Sequence, residues 1–246
     1  MIKLVVCDLD GTLLPYGEGK LNNKTVELIK AIVDKGIKFA VSSGRVYSEL
    51  CGYLSDFCES IYFISSDGAL MTYADRVIFH KSFSADAMNY AVCSAGNSVL
   101  RFFGKDKVWS FNDKGNAFPN DTRFLKPFEI KEPVYKIISY GSPIPSFEGA
   151  YSRTHYSDGS ISEYVPPYAN KGVTLGALQR HIGVSLYETL AIGDSVNDIP
   201  MMKNAKYSVA VGNSASALRA ECKLHSETAL AMLEKVWLNA DFNTLI

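Results

Sequence analysis

The stretch that most constrains the fold is residues 5–13, close to the start of the chain. A short apolar run leads into two carboxylates, Asp8 and Asp10, and Gly11 then allows the chain to turn. This pattern predicts a buried strand whose carboxyl end opens into a crevice, where ligands bind in open α/β sheets. Because strand side chains alternate, Asp8 and Asp10 should point the same way, roughly 6–7 Å apart.

The spacing of these two carboxylates has chemical consequences. They repel each other unless a cation lies between them or one of them holds a proton. The pattern therefore suggests a hard metal ion, a carboxylate nucleophile, or both. The alternative is a solvated turn after a strand, which the pair alone does not exclude.

Size and charge narrow the class of protein. The chain has 246 residues and a formal net charge of −1, with no basic block, so we expect no nucleic-acid partner and no anionic membrane surface. Apolar runs fall short of the roughly 18 residues that span a bilayer, and no signal-peptide pattern precedes the first strand. Five scattered cysteines indicate idle thiols in a reducing cytoplasm. No obligate protein partner is evident.

The first third of the chain alternates between strand and helix patterns. Asn22 or Asn23 can cap a helix that ends at Gly36, and a strand over 37–41 follows, which makes a β-α-β unit and hence a parallel sheet. Further along we expect a helix over 46–54, a strand over 62–65 and a hairpin of 70–73 with 76–80.

From about residue 82 the texture changes. A helix over 85–95 precedes runs rich in aromatic and β-branched residues, which predict antiparallel strands at 99–103, 108–111, 134–140 and 161–165. The fold class is therefore α/β: a Rossmann-like parallel-sheet core of residues 1–81 and 168–246 with an inserted α+β domain of residues 82–167.

The β-α alternation resumes after the insert. A helix from residue 171, strands over 189–192 and 208–211 and a C-terminal helix over about 227–238 are expected. The apolar residues of the first helix are Val173, Leu175, Leu178 and Ile182, and the core candidates of the C-terminal helix are Leu230, Leu233, Val236 and Trp237.

Acidic and anion-binding residues recur where the predicted parallel strands end. Because those ends share one edge of the sheet, we expect these groups to converge: Asp8, Asp10, Ser43, Asp194, Asn197 and Asp198. Several carboxylates at one edge favour a cation, and Mg²⁺ suits an oxygen-only site. Lys171 could also offset them, although a solvated lysine at a helix start is the simpler alternative.

Four segments carry a family resemblance. Asp8-Leu9-Asp10-Gly11-Thr12, Ser42-Ser43-Gly44-Arg45, Asn170-Lys171-Gly172 and Gly193-Asp194-Ser195-Val196-Asn197-Asp198 resemble the four ordered motifs of the haloacid-dehalogenase-like superfamily. The insert between the second and third motifs resembles the type II (C2) cap of its Cof-like subfamily IIB. The resemblance spans essentially the whole chain.

The resemblance implies a role for each motif residue. Asp8 would be the nucleophile that forms an aspartyl-phosphate, and Asp10 the acid and then the base. Asp8, the backbone carbonyl of Asp10 and Asp194 would hold Mg²⁺, and Asp198 would orient Lys171 or a metal-bound water. The residues that would bind the phosphoryl oxygens are Ser43, Lys171 and Asn197 with the amides of Leu9 and Gly44.

Substrate contacts are less sharply indicated. Relatives usually carry Glu-Asn-Gly-Ala where this chain has Ser66-Asp67-Gly68-Ala69, and Asp67 cannot donate a hydrogen bond as an amide does. Asp67, Gly68 and Arg45 are the substrate-side candidates of the core. The candidates of the insert, for which surface or packing roles are the simpler alternative, are Arg101, Trp109, Arg123, Lys136, His155 and Glu163.

The resemblance thus implies a Mg²⁺-dependent phosphatase that acts on a small phosphorylated metabolite of the sugar-phosphate type. One alternative is a phosphomutase of the phosphomannomutase type, which shares the type II cap. Another is a catalytically silent metabolite-binding protein. Dense arginines for a second phosphate are not evident, and every chemical position of the motifs is filled.

Overall fold

A computed structural model of the chain describes residues 1–114, 117–118, 120–123, 126, 129–145, 160–238 and, for the backbone alone, 152–155. The strands of this part of the chain are β1 (Leu4–Asp8), β2 (Lys38–Ser42), β3 (Tyr62–Ser65), β4 (Leu70–Tyr73), β5 (Arg76–His80), β6 (Val99–Phe103), β7 (Val108–Phe111), β8 (Thr122–Arg123), β9 (Lys136–Tyr140), β10 (Ser152–His155), β11 (Ile161–Val165), β12 (Thr189–Gly193), β13 (Tyr207–Val211) and β14 (Leu224–Ser226). The α-helices are α1 (Asn23–Asp34), α2 (Tyr47–Tyr53), α3 (Ala85–Cys93), α4 (Lys171–Ile182), α5 (Ile199–Met202), α6 (Ser216–Glu221) and α7 (Ala229–Leu238).

The larger sheet has eight strands in the order β14-β13-β12-β1-β2-β3-β4-β5. β1 lies near its middle, is buried along its whole length, and pairs in parallel with β2 on one side and β12 on the other. Asp8 is in register with Ser42, so the carboxyl ends of neighbouring strands meet at one edge. This edge carries the predicted site.

The last two strands of this sheet form the predicted hairpin. β4 runs antiparallel to β3, and β5 runs antiparallel to β4. Ala74 and Asp75 between them both have positive φ, at 46° and 60°, which is the backbone of a two-residue type I′ turn. The parallel part of the sheet therefore ends at β3.

Helices cover both faces of the larger sheet. The first apolar cluster joins one face to α1, α2 and α7 through residues such as Ile29, Leu50 and Leu233. The second joins the other face to α4, α5 and α6 through residues such as Leu178 and Met201. Apolar side chains on two faces explain why β1 reads as a continuous apolar run. The prediction of an α/β core is confirmed by this layering.

A separate six-stranded sheet is built between β5 and α4, in the order β10-β11-β9-β6-β7-β8. Its pairings are antiparallel except for the short contact of β7 with β8. One face packs on α3, where Ala91, Leu100, Phe102 and Tyr164 are buried together. The structure has the α+β texture expected for the insert, and the domain limits at 81/82 and 167/168 stay a prediction.

Some element predictions were wrong in detail. Three short strands were not predicted: β8, β10 and β14. Trp237, expected in the core, is 40% exposed and lies outside it, because α7 turns other residues toward the sheet. α3 ends at Cys93 rather than at residue 95, and α7 begins at Ala229. Within the described residues, no helix is long and apolar enough to cross a bilayer.

Candidate active site

Asp8 lies at the carboxyl end of β1 and is almost completely buried. Its Oδ1 accepts a hydrogen bond from Lys171 Nζ at 2.6 Å. Lys171 is the first residue of α4, which Asn170 caps by accepting from the Val173 amide at 2.9 Å. The cap fixes where α4 begins and so brings a lysine from the far end of the chain to the end of β1.

Asp198 is the second acid on Lys171. Its Oδ1 accepts from Lys171 Nζ at 2.6 Å, and its Oδ2 accepts from the amides of Asp194 and Ser195 at 3.1 and 3.0 Å. The side chain is fully buried. Both oxygens of Asp198 are therefore occupied, one by Lys171 of α4 and the other by two amides of the loop that follows β12.

Asp194 completes the acidic group. Its Oδ1 accepts from the Thr12 hydroxyl at 3.3 Å and its Oδ2 from the Tyr16 hydroxyl at 3.0 Å. Gly11 allows this approach: its φ is +80°, and a Cβ there would lie 2.3 Å from Asp194 Oδ2. The loop after β1 can reach the loop after β12 only with glycine at this position.

The three acids and Lys171 shift one another's pKa values. Burial raises the pKa of Asp8, and Lys171 opposes that rise. Burial opposes the charge of Lys171, but Asp198 and Asp8 outweigh it and raise the pKa of Lys171 above its ordinary value. Burial also raises the pKa of Asp194. One ammonium among three carboxylates leaves a local excess of negative charge.

That excess suits a divalent cation. Asp8, Asp194 and Asp198 each present an oxygen within 4.8 Å of the others, a separation that fits a shared metal ion. Asp198 already accepts from an ammonium group and two amides, whereas Asp194 accepts from two hydroxyls, at 3.3 and 3.0 Å. The metal ligands expected from the sequence, namely Asp8, Asp194 and the carbonyl of Asp10, stay a prediction.

The segment after β2 brings Ser43, Gly44 and Arg45 to Asp10. Arg45 Nε and Nη2 donate to Asp10 Oδ1 at 3.0 and 2.7 Å, and Ser43 Oγ lies 3.4 Å from Asp10 Oδ2. The Arg45 amide in turn donates to Ser43 Oγ at 3.1 Å. Arg45, considered from the sequence as a substrate contact, is thus also the ion-pair partner of Asp10.

Other expected residues lie differently. Asn197 Nδ2 donates to Asp67 Oδ1 at 3.1 Å, and the Asp67 carboxylate lies beside Gly44. Gly68 is buried against α4, where its carbonyl accepts from Thr174 at 2.6 Å. This packing is a sufficient reason for a glycine at position 68, and its contact with substrate stays a prediction. Leu9 has its side chain in the core, and the role of its amide stays a prediction.

A cavity of about 600 Å³ lies between the two sheets. Its core side includes Asp8, Asp10, Ser43, Arg45 and Asn197. The residues that the six-stranded sheet contributes are Arg101, Phe103, Lys136, Ile138, Tyr140 and Glu163. These five motif residues therefore face a cavity that is large enough for a small metabolite, whereas Lys171, Asp194 and Asp198 are not among its lining residues.

Comparison of the sequence with known proteins shows the family of the chain. The sequence pattern of the haloacid dehalogenase-like hydrolases matches residues 5–229. The chain belongs to this family. It is 27% identical to a phosphoglycolate phosphatase of Methanoculleus marisnigri over 87% of the chain and 86% of that protein. It is 24% identical to the 5-amino-6-(5-phospho-D-ribitylamino)uracil phosphatase YbjI of Escherichia coli, over 96% of each.

A solved structure shows the same fold for this haloacid dehalogenase-like hydrolase. The sugar phosphatase BT4131, of subclass IIB, superimposes with a TM-score of 0.74 at 18% identity, covering 99% of this chain and 100% of that one. The resemblance to the Cof-like hydrolases and the prediction of a phosphatase are confirmed at the level of the family. We call α3 and the six-stranded sheet together the cap.

The cap candidates separate into three groups. Lys136 and Glu163 form a buried ion pair, and Arg101 pairs with Asp121 through contacts of 2.7 and 2.9 Å; all three candidates line the cavity. Trp109 is buried in the apolar core of the cap, which makes it scaffold. Arg123 is exposed on β8, and the side chain of His155 lies outside the described residues.

Tyr16 is the site residue that sequence reasoning missed. Its hydroxyl is bonded to Asp194, its ring lies beside Gly11, and it lines the cavity. Burial and the hydrogen bond to Asp194 raise the pKa of Tyr16 to about 12, so the phenol remains a donor at neutral pH. Hydrophobic periodicity does not identify an aromatic residue in a glycine-rich loop as part of a site. The available indication was that Tyr16 lies only a short distance after Asp10 in the sequence.

Proposed function

We propose that this haloacid dehalogenase-like hydrolase is a Mg²⁺-dependent phosphomonoesterase for a small phosphorylated metabolite of the sugar-phosphate type. The observation that carries the proposal is the cluster of Asp8, Asp194 and Asp198 oxygens within 4.8 Å, with Lys171 bonded to two of them. Buried carboxylates around one lysine, open to a cavity, suit attack on an electron-poor phosphorus. The reaction belongs in the cytoplasm, in keeping with five free cysteines.

Asp8 is the nucleophile of the proposed reaction. Its carboxylate attacks the phosphorus of the ester and forms an aspartyl-phosphate while the alcohol leaves. The bond from Lys171 holds Asp8 in one orientation, and Asp198 holds Lys171 in turn. Such a chain of buried contacts positions the nucleophile before the substrate arrives.

Asp10 is the general acid and then the general base of the proposed reaction. It donates one to the oxygen of the departing alcohol and then takes one from the water that hydrolyses the aspartyl-phosphate. Arg45 and Ser43 hold the Asp10 carboxyl at the cavity wall. A side chain fixed in this way can meet first the alcohol and then the water on the same side of the phosphorus.

The remaining motif residues bind the phosphoryl oxygens. Ser43, Lys171 and Asn197, with the amides of Leu9 and Gly44, are the donors we assign to this task, because negative charge is redistributed over those oxygens during transfer. Mg²⁺ held by Asp8, Asp194 and the carbonyl of Asp10 would neutralise charge between the nucleophile and the phosphate. The cap residues at the cavity wall would then select the alcohol.

The test is hydrolysis of p-nitrophenyl phosphate. We expect turnover with Mg²⁺, loss of turnover in EDTA, and loss of turnover in Asp8→Asn, which removes the nucleophile but keeps the shape of the residue. Asp56→Asn is the matched control, because Asp56 pairs with Lys30 on the surface, with 57% of its side chain exposed. Full activity of Asp8→Asn, or activity unaffected by EDTA, would overturn the proposal.

The class of substrate needs a second experiment. A panel of phosphorylated metabolites should show the highest kcat/KM for sugar phosphates. A dependence of turnover on glucose-1,6-bisphosphate, with transfer to the sugar rather than to water, would instead support a phosphomutase. Release of inorganic phosphate in the absence of any bisphosphate supports the phosphatase.

A further inference from the structure

The cap touches the core at residues 43–47, which run from the end of β2 to the first residue of α2 and include the proposed phosphate-binding loop. Lys136 of β9 donates from Nζ to the backbone carbonyl of Gly44 at 2.8 Å. Val46 packs in a small apolar cluster with Phe103 and Ile138 of the cap. A charged contact and an apolar contact therefore reach two neighbouring residues of one short segment.

A third contact reaches the same segment from the tip of the β6–β7 hairpin. Lys105 Nζ lies 2.6 Å from an oxygen of Asp75 and 5.0 Å from the centre of the Tyr47 ring. The Tyr47 hydroxyl donates to Asp75 at 3.0 Å. Since Tyr47 begins α2, the cap holds residues 44, 46 and 47 at once.

Lys136 is more than a surface contact. Only 4% of its side chain is exposed, and it forms an ion pair with Glu163, of which 12% is exposed. A buried ammonium group must be compensated by close partners, and here these are a carboxylate of the cap and a carbonyl of the core. If the cap moved away from the core, the contact with Gly44 would be lost.

The Gly44 carbonyl has a direct link to the site. It belongs to the same peptide group as the Arg45 amide, which donates to Ser43 Oγ at 3.1 Å. A positive charge on the oxygen of a peptide group fixes its plane and strengthens its N–H as a donor. Lys136 therefore acts, through one peptide group, on the hydroxyl of Ser43, which lies 3.4 Å from Asp10.

We propose that Lys136 is a positioning residue through which the docked cap completes the phosphate-binding loop at residues 43–45. The inference rests on the proposed function of that loop. It adds that docking of the cap and the geometry of the loop are coupled, so the loop takes its phosphate-binding geometry when the cap is closed. Substrate bound under a closed cap then meets a fully ordered loop, whereas phosphate under an open cap is held more weakly and leaves.

The variants are chosen so that no buried charge is left alone. Lys136→Met combined with Glu163→Met removes both members of the ion pair. Lys107→Met is the matched control, because Lys107 pairs with Glu132 on the cap with both side chains well exposed. Lys105→Met weakens the same docking at an accessible contact and serves if the double variant does not fold.

Two readouts are needed, and one of them is independent of catalysis. Amide hydrogen exchange over residues 43–47 should rise at least tenfold in the double variant and by less in Lys105→Met, and should not change in Lys107→Met. With p-nitrophenyl phosphate, kcat/KM should fall roughly 10- to 100-fold in the double variant, the effect of losing one charged hydrogen bond. Inhibition by inorganic phosphate should weaken in parallel, and Lys107→Met should stay within about threefold of the wild type.

The outcomes separate the two proposals. Unchanged exchange of residues 43–47 in both the double variant and Lys105→Met would overturn the positioning role. So would an unchanged kcat/KM and phosphate inhibition in the double variant. If the wild type hydrolyses no phosphomonoester but the exchange and the inorganic-phosphate affinity change as expected, the coupling stands and the proposed function fails.

Discussion

Lys171→Met should be among the most damaging single changes in the core. The substitution removes an ammonium group that is 1% exposed and lies 2.6 Å from oxygens of both Asp8 and Asp198. Methionine has a similar length, so the packing changes little and the loss is electrostatic. Two buried carboxylates then face each other without a compensating charge, and Asp194 adds a third nearby.

The expected cost follows from that geometry. Removing one partner of a buried ion pair lowers the free energy of unfolding by about 3–5 kcal/mol. For a chain of this size each kcal/mol corresponds to roughly 2–4 °C in melting temperature, so we expect a decrease of roughly 6–20 °C. Differential scanning calorimetry in EDTA at pH 8 measures it. Lys203→Met, which removes an exposed pair with Glu221, should cost less than about 1 kcal/mol.

The pH dependence of the stability loss in Lys171→Met tests whether the loss is electrostatic. Burial raises the pKa of Asp8 in the folded protein, and the charge of Lys171 lowers it. Removing Lys171 therefore raises the pKa of Asp8 further. A carboxyl group with a raised pKa binds its proton more tightly when folded, so its contribution to stability falls as the pH rises from about 4 through the folded-state pKa. The variant should therefore be closer to the wild type at pH 5 than at pH 8. Equal melting temperatures at pH 8, or a deficit that grows on acidification, would refute the electrostatic reasoning.

Two further predictions concern single side chains. Gly172→Ala should destabilise the fold by about 1–3 kcal/mol in urea unfolding, because its Cβ would lie 2.2 Å from the carbonyl oxygen of Pro200. Gly176→Ala in the same helix is the control: its Cβ would meet no atom closer than 3.6 Å, and the free energy of unfolding should rise by up to about 1 kcal/mol. Equal effects of the two would contradict the packing argument. Asp67→Asn removes a negative charge beside Gly44 and should lower KM for p-nitrophenyl phosphate roughly two- to fivefold; a higher KM would show that the charge favours binding.

The sequence predicted the parallel core because its signals are local. The apolar run before Asp8, the Asn22 cap and the two-residue turn at 74–75 each specify backbone geometry within a few residues. β14 gave no such signal: it has three residues, of which His225 is exposed. A strand of that length is defined by its neighbour β13 rather than by its own pattern.

The site was predictable to the extent that topology determines it. Parallel strands align their carboxyl ends, so Asp8 and Asp194 had to converge once β1 and β12 were recognised as strands of one sheet. The pairing of Arg45 with Asp10 and of Tyr16 with Asp194 depends on loop paths and side-chain rotamers, which no periodicity encodes. The exposure of Trp237 has the same origin, since the rotation of α7 is set by its packing.

The position of β1 between β2 and β12 has a consequence for biosynthesis. Residues 99–165, which make the whole cap sheet, leave the ribosome before β12 exists, so the cap can fold while one edge of β1 still lacks its partner. A product that ends before residue 189 would carry Asp8, the proposed nucleophile, but neither acid of the late loop. It would also present a bare apolar strand edge, and we expect such fragments to aggregate rather than to persist as partly active enzyme.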